Sequence, residues 1–391
     1  MAEKFSPQPF VIRKRVTRRG FFYIAGVSSA AAFLAACGGQ TTTAPTIVPV
    51  GSATAMPAAA PIEKEMFLYN WSGYVNPENV AAFSKEFGVQ VTEDNYGSNE
   101  DLLAKVEAGG SGYDIVAPTG YMVKIMGEKD LLLPLDLSKI PNAKYMSPPF
   151  DKGRPHDPDN KWSLTKDWGT FGIMWNSEKV TDNFASWDDL WKLAPKYSGK
   201  IIAVDSSPEV FGAALKYLGY SYNATDPKEI DAALKKLMEL KPHLRSFDST
   251  YIAKMASEEA WITLGWNGDA FAANAQRKDA GKAESIQYVI PSEGSEIWED
   301  DWCILKSAPH PNAAHAFINF VLEPKRQAAE TNFTYYASGQ DEAKKYINPD
   351  ILNNPAIYPP GQVIAKLEAA TDLPKAAQEY RDEAWTKLKS A

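Results

Sequence analysis

Cysteine is nearly absent from this 391-residue chain: Cys37 and Cys303 are the only two. If Cys37 is consumed by processing, no intramolecular disulfide can form, and a hydrophobic core must hold the fold. Histidine is scarce as well. His156, His243, His310 and His315 are scattered and fit no metal-ligand spacing. There is no Gly-x-Ser-x-Gly elbow, no nucleotide-binding glycine loop and no internal repeat. These absences argue against a serine hydrolase, a metalloenzyme, a nucleotide-dependent enzyme and a solenoid. Positive charge is in deficit. The formal net charge is −8, and without residues 1–36 the chain keeps 35 basic against 48 acidic residues, or −13. A body that acidic repels nucleic acid and attracts cations.

The amino terminus carries what basic excess there is. Arg18 and Arg19 form a twin-arginine pattern after Lys4, Arg13, Lys14 and Arg15. The apolar run from Phe21 to Ala36 is short for a membrane span and contains Gly26, Ser28 and Ser29. It ends in Leu34-Ala35-Ala36-Cys37-Gly38, a lipobox-like sequence. Residues 1–37 are therefore expected to be a lipoprotein export signal, by the twin-arginine or the general secretory route, with Cys37 as the lipidated first mature residue. Residues 38–64 are rich in Ala, Thr and Pro and are expected to form a flexible tether.

Beyond the tether, helix and strand signals alternate, which predicts an α/β fold with a largely parallel sheet covered on both faces. Met66–Asn70, Val89–Thr92 and Asp114–Ala117 read as strands; Asn76-Pro77 and Ser98 open helices. Phe171–Trp175, Ile201–Val204, Trp261–Trp266 and Gln287–Ile290 continue the strands. Asp226-Pro227 opens a helix to Leu240, and others are expected over Asn267–Asp279, Pro311–Leu322 and Lys375–Leu388.

The most unusual stretch is Ile297-Trp298-Glu299-Asp300-Asp301-Trp302, with two indoles, three carboxylates and no lysine or arginine among them. As a strand it places Trp298, Asp300 and Trp302 on one face and Glu299 and Asp301 on the other. Aromatic faces beside a carboxylate suit an alkyl ammonium ion. An edge strand with two core indoles and a solvated acidic face reads equally well from this stretch alone. Several strand ends elsewhere also carry aromatic or acidic groups: Asn70 to Tyr74 (with Ser72), Pro118 to Tyr121, Asp205 to Glu209 (with Ser206), and Trp266 to Asp269 (with Asn267). In open α/β sheets ligands sit at such ends. Taken singly, each aromatic reads as core packing, Asp205 and Asp269 could be helix caps, and Glu209 could serve the first turn of its helix.

In order, Tyr69-Asn70-Trp71-Ser72-Gly73-Tyr74-Val75, Tyr113-Asp114-Ile115-Val116-Ala117-Pro118, Glu209-Val210-Phe211, Trp266-Asn267-Gly268-Asp269-Ala270-Phe271 and Ile297-Trp298-Glu299-Asp300 resemble the bacterial spermidine/putrescine-binding proteins of ABC importers. The resemblance runs from about Met66 to Leu388. It implies a two-lobed, type II periplasmic-binding-protein-like fold, with a ligand cleft between lobes joined by hinge strands. Lobe 1 is expected over 65–171 plus about 301–368, and lobe 2 over 172–300 plus about 369–391. The implied protein is not an enzyme and takes no cofactor or metal. It captures a polyamine and delivers it to an ABC permease and ATPase, acts as a monomer, and stands lipid-anchored on the outer face of the cytoplasmic membrane, in the periplasm where an outer membrane exists.

Carried over by motif, the ligand-binding residues are Trp71, Tyr74, Thr119, Tyr121, Asp205, Glu209, Trp266, Trp298 and Asp300, with Ser72, Ser206, Asn267, Asp269 and Tyr335 as further candidates. The chain departs from the family pattern at four places. Gly73 stands where relatives carry an acid. Ser206 replaces an aspartate that Asp205 could compensate. A site tyrosine falls at Thr334 or, with a slip, at Tyr335. A late glutamine has no counterpart near Ala369 and Ala370. These departures keep two alternatives open: another organic cation (agmatine or a thiamine-like ring) or a sugar. A remote third is a glycoside hydrolase using Asp300 and Glu209.

Overall fold

The computed structural model describes residues 61–109 and 112–391. The export signal with Arg18, Arg19 and Cys37, and the tether up to residue 60, lie outside the described residues. Among the described residues nine strands form the sheet. They are β1 (Glu65–Trp71), β2 (Gln90–Tyr96), β3 (Ile115–Val116), β4 (Ser163–Asn176), β5 (Ile201–Ala203), β6 (Leu244–Phe247), β7 (Ile262–Trp266), β8 (Ile286–Val289) and β9 (Ile297–Ile304). Their order is β2-β1-β3-β9-β4-β7-β5-β6, with β8 also paired to β4.

Helix boundaries follow the capping chemistry. Asn76 accepts a hydrogen bond from the Glu78 N–H, Pro77 takes the first helical position, and Gly88 ends the helix Pro77–Phe87 at φ +65°. Ser186 and Asp189 form a reciprocal capping box at the start of Trp187–Leu193. Helix Pro227–Leu240 begins at the Asp226 cap and buries Ile230, Ala233, Leu237 and Leu240 on one stripe.

The sheet is parallel only at its two sides, where β1 pairs with β2 and β3, and β5 with β6 and β7. Its centre is antiparallel: β9 pairs with β3 and β4, and β4 also pairs with β7 and β8. This corrects the expectation of a largely parallel sheet. The cause is topological. β4 carries the chain out of one half and β9 brings it back, and two neighbouring strands that cross in opposite senses must pair antiparallel.

Two cores flank this pair. Met66, Leu68, Phe83, Ile115, Trp302 and Phe317 belong to one. Phe171, Trp187, Ile201, Phe211, Leu264 and Leu388 belong to the other. Within β4 the change of core falls between Leu164 and Phe171. Trp266 packs against both cores, so its indole lies where the halves meet. All fourteen residues of β4 are buried, including Lys166 and Asp167. Among the described residues no helix is long and apolar enough to cross a membrane.

Candidate functional site

The site grows from β9. Side-chain alternation holds along it. On one face, Trp298 meets Tyr336 edge-on at 4.7 Å, Asp300 meets the Tyr74 hydroxyl at 2.8 Å, and Trp302 stands edge-on to Phe317 in the core. On the other face, Arg154 donates to Glu299 Oε1 at 2.9 Å and to Asp301 Oδ1 at 2.6 Å, and His156 Nε2 lies 2.7 Å from Asp301 Oδ2. That face is therefore neither solvated nor free of arginine. His156, Glu299 and Asp301 lie close enough to hold a metal. The guanidinium between the two acids already supplies the cation.

The two faces leave neighbouring aspartates in opposite states. Burial works against ionisation at both, but Arg154 and His156 hold Asp301 down at about 2. For Asp300, burial and the nearby Asp167 charge push the carboxyl up to about 7, although Thr119 and Tyr74 hydrogen bonds pull the other way.

Tyr74 lies between two acids. Its hydroxyl is 2.5 Å from Asp167 Oδ1 and 2.8 Å from Asp300 Oδ2. A phenol has one hydrogen to donate. The second carboxyl must carry its own proton or meet a cation. Thr119 pairs with Asp300 through a backbone bridge, and its Oγ1 accepts from Asn99 at 3.0 Å. Trp71 donates its indole N–H to the Ala117 carbonyl at 2.9 Å and sits edge-on to Tyr96 at 4.6 Å. Tyr96 in turn feels the Asp300 charge.

From the other half come Trp266, Asn267, Asp269 and Glu209. Trp266 packs near Tyr251 and Phe171. Asn267 accepts from the Thr170 N–H at 3.0 Å, and its amide nitrogen is buried without a partner among the described residues. Asp269 accepts from Tyr251 at 2.6 Å and Tyr336 at 2.9 Å, and burial raises it to about 6. Burial raises Glu209 to about 7 against the pull of Ser206, with Glu100 from the first half adding to the rise. Tyr121 donates to Glu100 Oε1 at 3.1 Å and also feels Glu209. Glu100 of the first half and Glu209 of the second thus sense each other's negative charge, a like-charge repulsion between the halves.

Three sequence candidates stand apart from this group. Asp205 is exposed, and Lys389 binds both of its oxygens at 2.6 and 2.8 Å, so it does not compensate for Ser206. Tyr335 stacks on Phe271 at 5.2 Å; the neighbouring Tyr336 occupies the site. The slip arises because Tyr335 takes a left-handed φ of +60° at the helix end, which swings the following ring inward. Ser72 lies exposed in a turn.

Sequence reasoning missed Glu296, Lys166 and Asp167. Glu296 was findable: one more step of alternation back from Trp298 puts it on the Asp300 face. Burial drives its pKa well up, with the Glu209 and Asp300 charges adding and Tyr222 partly offsetting. Lys166 and Asp167 were not findable, because a register shift in β4 between Thr165 and Asp167 breaks the alternation there.

Asp300 Oδ1, Glu209 Oε2 and Glu296 Oε2 are buried with no hydrogen-bond partner among the described residues. Buried acceptors in that state cost free energy and call for donors or positive charge. A shallow groove of about 390 Å³ is bordered by Trp191, Tyr217 and His243 of the second half. It lacks such buried acids; Asp188 at its rim pairs with the exposed Lys192.

Comparison with known proteins points the same way. The family described as bacterial extracellular solute-binding protein matches residues 78–359. A putrescine-binding periplasmic protein of Pseudomonas aeruginosa is 34% identical over 357 residues, covering 87% of this chain and 95% of the relative. A spermidine/putrescine-binding periplasmic protein of Escherichia coli is 36% identical over 330 residues, covering 83% and 91%. The solved spermidine/putrescine ABC transporter substrate-binding protein of Streptococcus pneumoniae superposes with a TM-score of 0.72 at 32% identity, covering 84% of this chain and 99% of that one.

Proposed function

Since the chain belongs to the bacterial extracellular solute-binding protein family, we propose that it captures a polyamine of the putrescine or spermidine class and hands it to an ABC import permease. One observation carries the reading: three buried carboxylate oxygens, on Asp300, Glu209 and Glu296, lack partners among the described residues in a cleft walled by aromatic rings. An aliphatic di- or tri-ammonium ion offers N–H donors for the acids and methylenes for the rings. A micromolar dissociation constant needs about −8 kcal/mol. Each charge-assisted hydrogen bond contributes about 1.5–3 kcal/mol, and a desolvated cation over an indole about 1–2 kcal/mol. Two or three acids with two rings reach that size; rings alone do not.

The protein is exported in this reading, with Cys37 as its lipid anchor and residues 38–64 as the tether that gives the body reach. It is a carrier, not a catalyst. A glycosidase pair needs one carboxyl ionised and its partner protonated. Here the same cause, burial, raises both Asp300 and Glu209.

A thermal-shift panel of putrescine, spermidine, agmatine, thiamine and simple sugars tests the reading. Aliphatic amines are expected to raise the melting temperature by mass action. A rise with sugars alone would refute it.

A further inference from the structure

A lysine already occupies part of this cleft. Lys166 is 1% exposed. Its ammonium lies 2.5 Å from Asp167 Oδ2, 3.6 Å from the Tyr74 ring centroid and 5.5 Å from that of Trp302. A carboxylate with two ring faces is the environment that a ligand ammonium would seek, and here the chain fills it. The lysine is held there by its backbone: Gln327 donates to the Lys166 carbonyl at 2.6 Å, next to the β4 register shift. Other charged groups face the same corner. Asp167 and Asp300 flank the Tyr74 hydroxyl. Glu330 feels both Lys166 and Asp167, but its oxygens are taken by the Asn76 N–H at 2.9 Å and the Asn79 amide at 2.6 Å.

The acids left for a ligand fall into two groups. Asp300 stands at the Tyr74 corner with Oδ1 unpartnered. Glu209 and Glu296 each keep a buried oxygen without a partner among the described residues, and Glu296 feels the Glu209 charge. Two acidic stations suit two ammonium groups. The Asp167 carboxylate could hold a third, but Lys166 neutralises it.

Building on the polyamine reading, we propose that Lys166 is a specificity-determining residue: a built-in ammonium that balances Asp167, closes the Tyr74 corner to a further ligand cation, and matches the cleft to a diamine over a triamine.

The test titrates putrescine and spermidine by calorimetry into wild-type protein, Lys166→Met, Asp167→Asn and the double variant, each checked for cooperative melting. Wild type is expected to favour putrescine. Lys166→Met frees Asp167 and should shift the affinity ratio towards spermidine by about tenfold or more. Asp167→Asn leaves the resident charge unbalanced and should weaken both amines by about tenfold or more. Adding Lys166→Met to Asp167→Asn should restore binding to within about threefold of wild type. A lysine that only props the fold would change melting temperatures without moving the ratio or giving rescue. If Lys166→Met does not fold, Asp167→Asn and the double variant carry the test. A wild-type preference for spermidine, an unmoved ratio in folded Lys166→Met, or no rescue in the double variant overturns the proposal. A folded wild type that binds neither amine overturns the polyamine reading and this inference with it.

Discussion

Asp300 has one oxygen near a tyrosine hydroxyl and the other buried without a hydrogen-bond partner among the described residues. Asp300→Asn keeps the shape and a hydrogen-bonding group but removes the charge. It is expected to weaken amine binding at least tenfold, or about 1.4 kcal/mol, with the melting transition retained; calorimetry against putrescine measures it. Unchanged affinity would remove Asp300 from the site. The pH dependence follows from the same group and from Glu209, both raised by burial to about 7. In an unfolded chain such carboxyls ionise near pH 4. Between about pH 4 and 7 the empty closed form therefore holds protons that the unfolded chain has lost. Its contribution to stability is full below about pH 4 and falls away as pH rises through about 7. An arriving ammonium reverses the preference by favouring the ionised acids. Binding at pH 6 should release protons, and affinity should rise from pH 6 to 8. Calorimetry in two buffers of different ionisation enthalpy reads the proton count directly; equal heats in both buffers at pH 6 would contradict this account.

At the scale of elements, β4 and β9 both join the halves and present the site. Gly169 in β4 shows how close the packing is. A Cβ there would lie 2.4 Å from Asn267 Oδ1 and 2.4 Å from the Trp298 ring. Gly169→Ala should therefore destabilise the fold by about 1–3 kcal/mol and weaken ligand binding together, as read by urea denaturation and calorimetry. A loss of neither would show that β4 yields easily at the cleft. The same elements show what the sequence could and could not reveal. Helices Pro77–Phe87, Pro227–Leu240 and Asn267–Asp279 start where their caps and prolines or strand ends predicted. The Trp298/Asp300 face followed from period-two alternation. The first half of β4 was invisible because Lys166 and Asp167 interrupt its apolar run and a register shift hides their direction. Arg154 was invisible as the partner of Glu299 and Asp301 because no local pattern links a loop to a strand 145 or more residues away. Tyr336 was missed by one position because a left-handed residue precedes it.

For the whole molecule, the two cores meet at Trp266, and acids from both halves, Glu100 and Glu209, act on one another. Empty, the closed arrangement buries carboxylates without partners, which penalises it. With a cation bound, that penalty is offset. The equilibrium between open and closed forms should shift by the ligand's differential affinity for them. Small-angle scattering is expected to show a smaller radius of gyration on adding putrescine, and Asp300→Asn should need about tenfold more amine for the same change. An identical radius with and without saturating ligand would rule out closure as the signal to the permease.

The most direct measurement is a crystal structure of the protein grown with putrescine. One ammonium nitrogen is predicted within hydrogen-bond distance of Asp300 Oδ1 and the other at Glu209 and Glu296, with the chain along Trp266. An amine seated instead in the groove beside Trp191 and Tyr217, with the cleft carboxylates still unpartnered, would contradict the account.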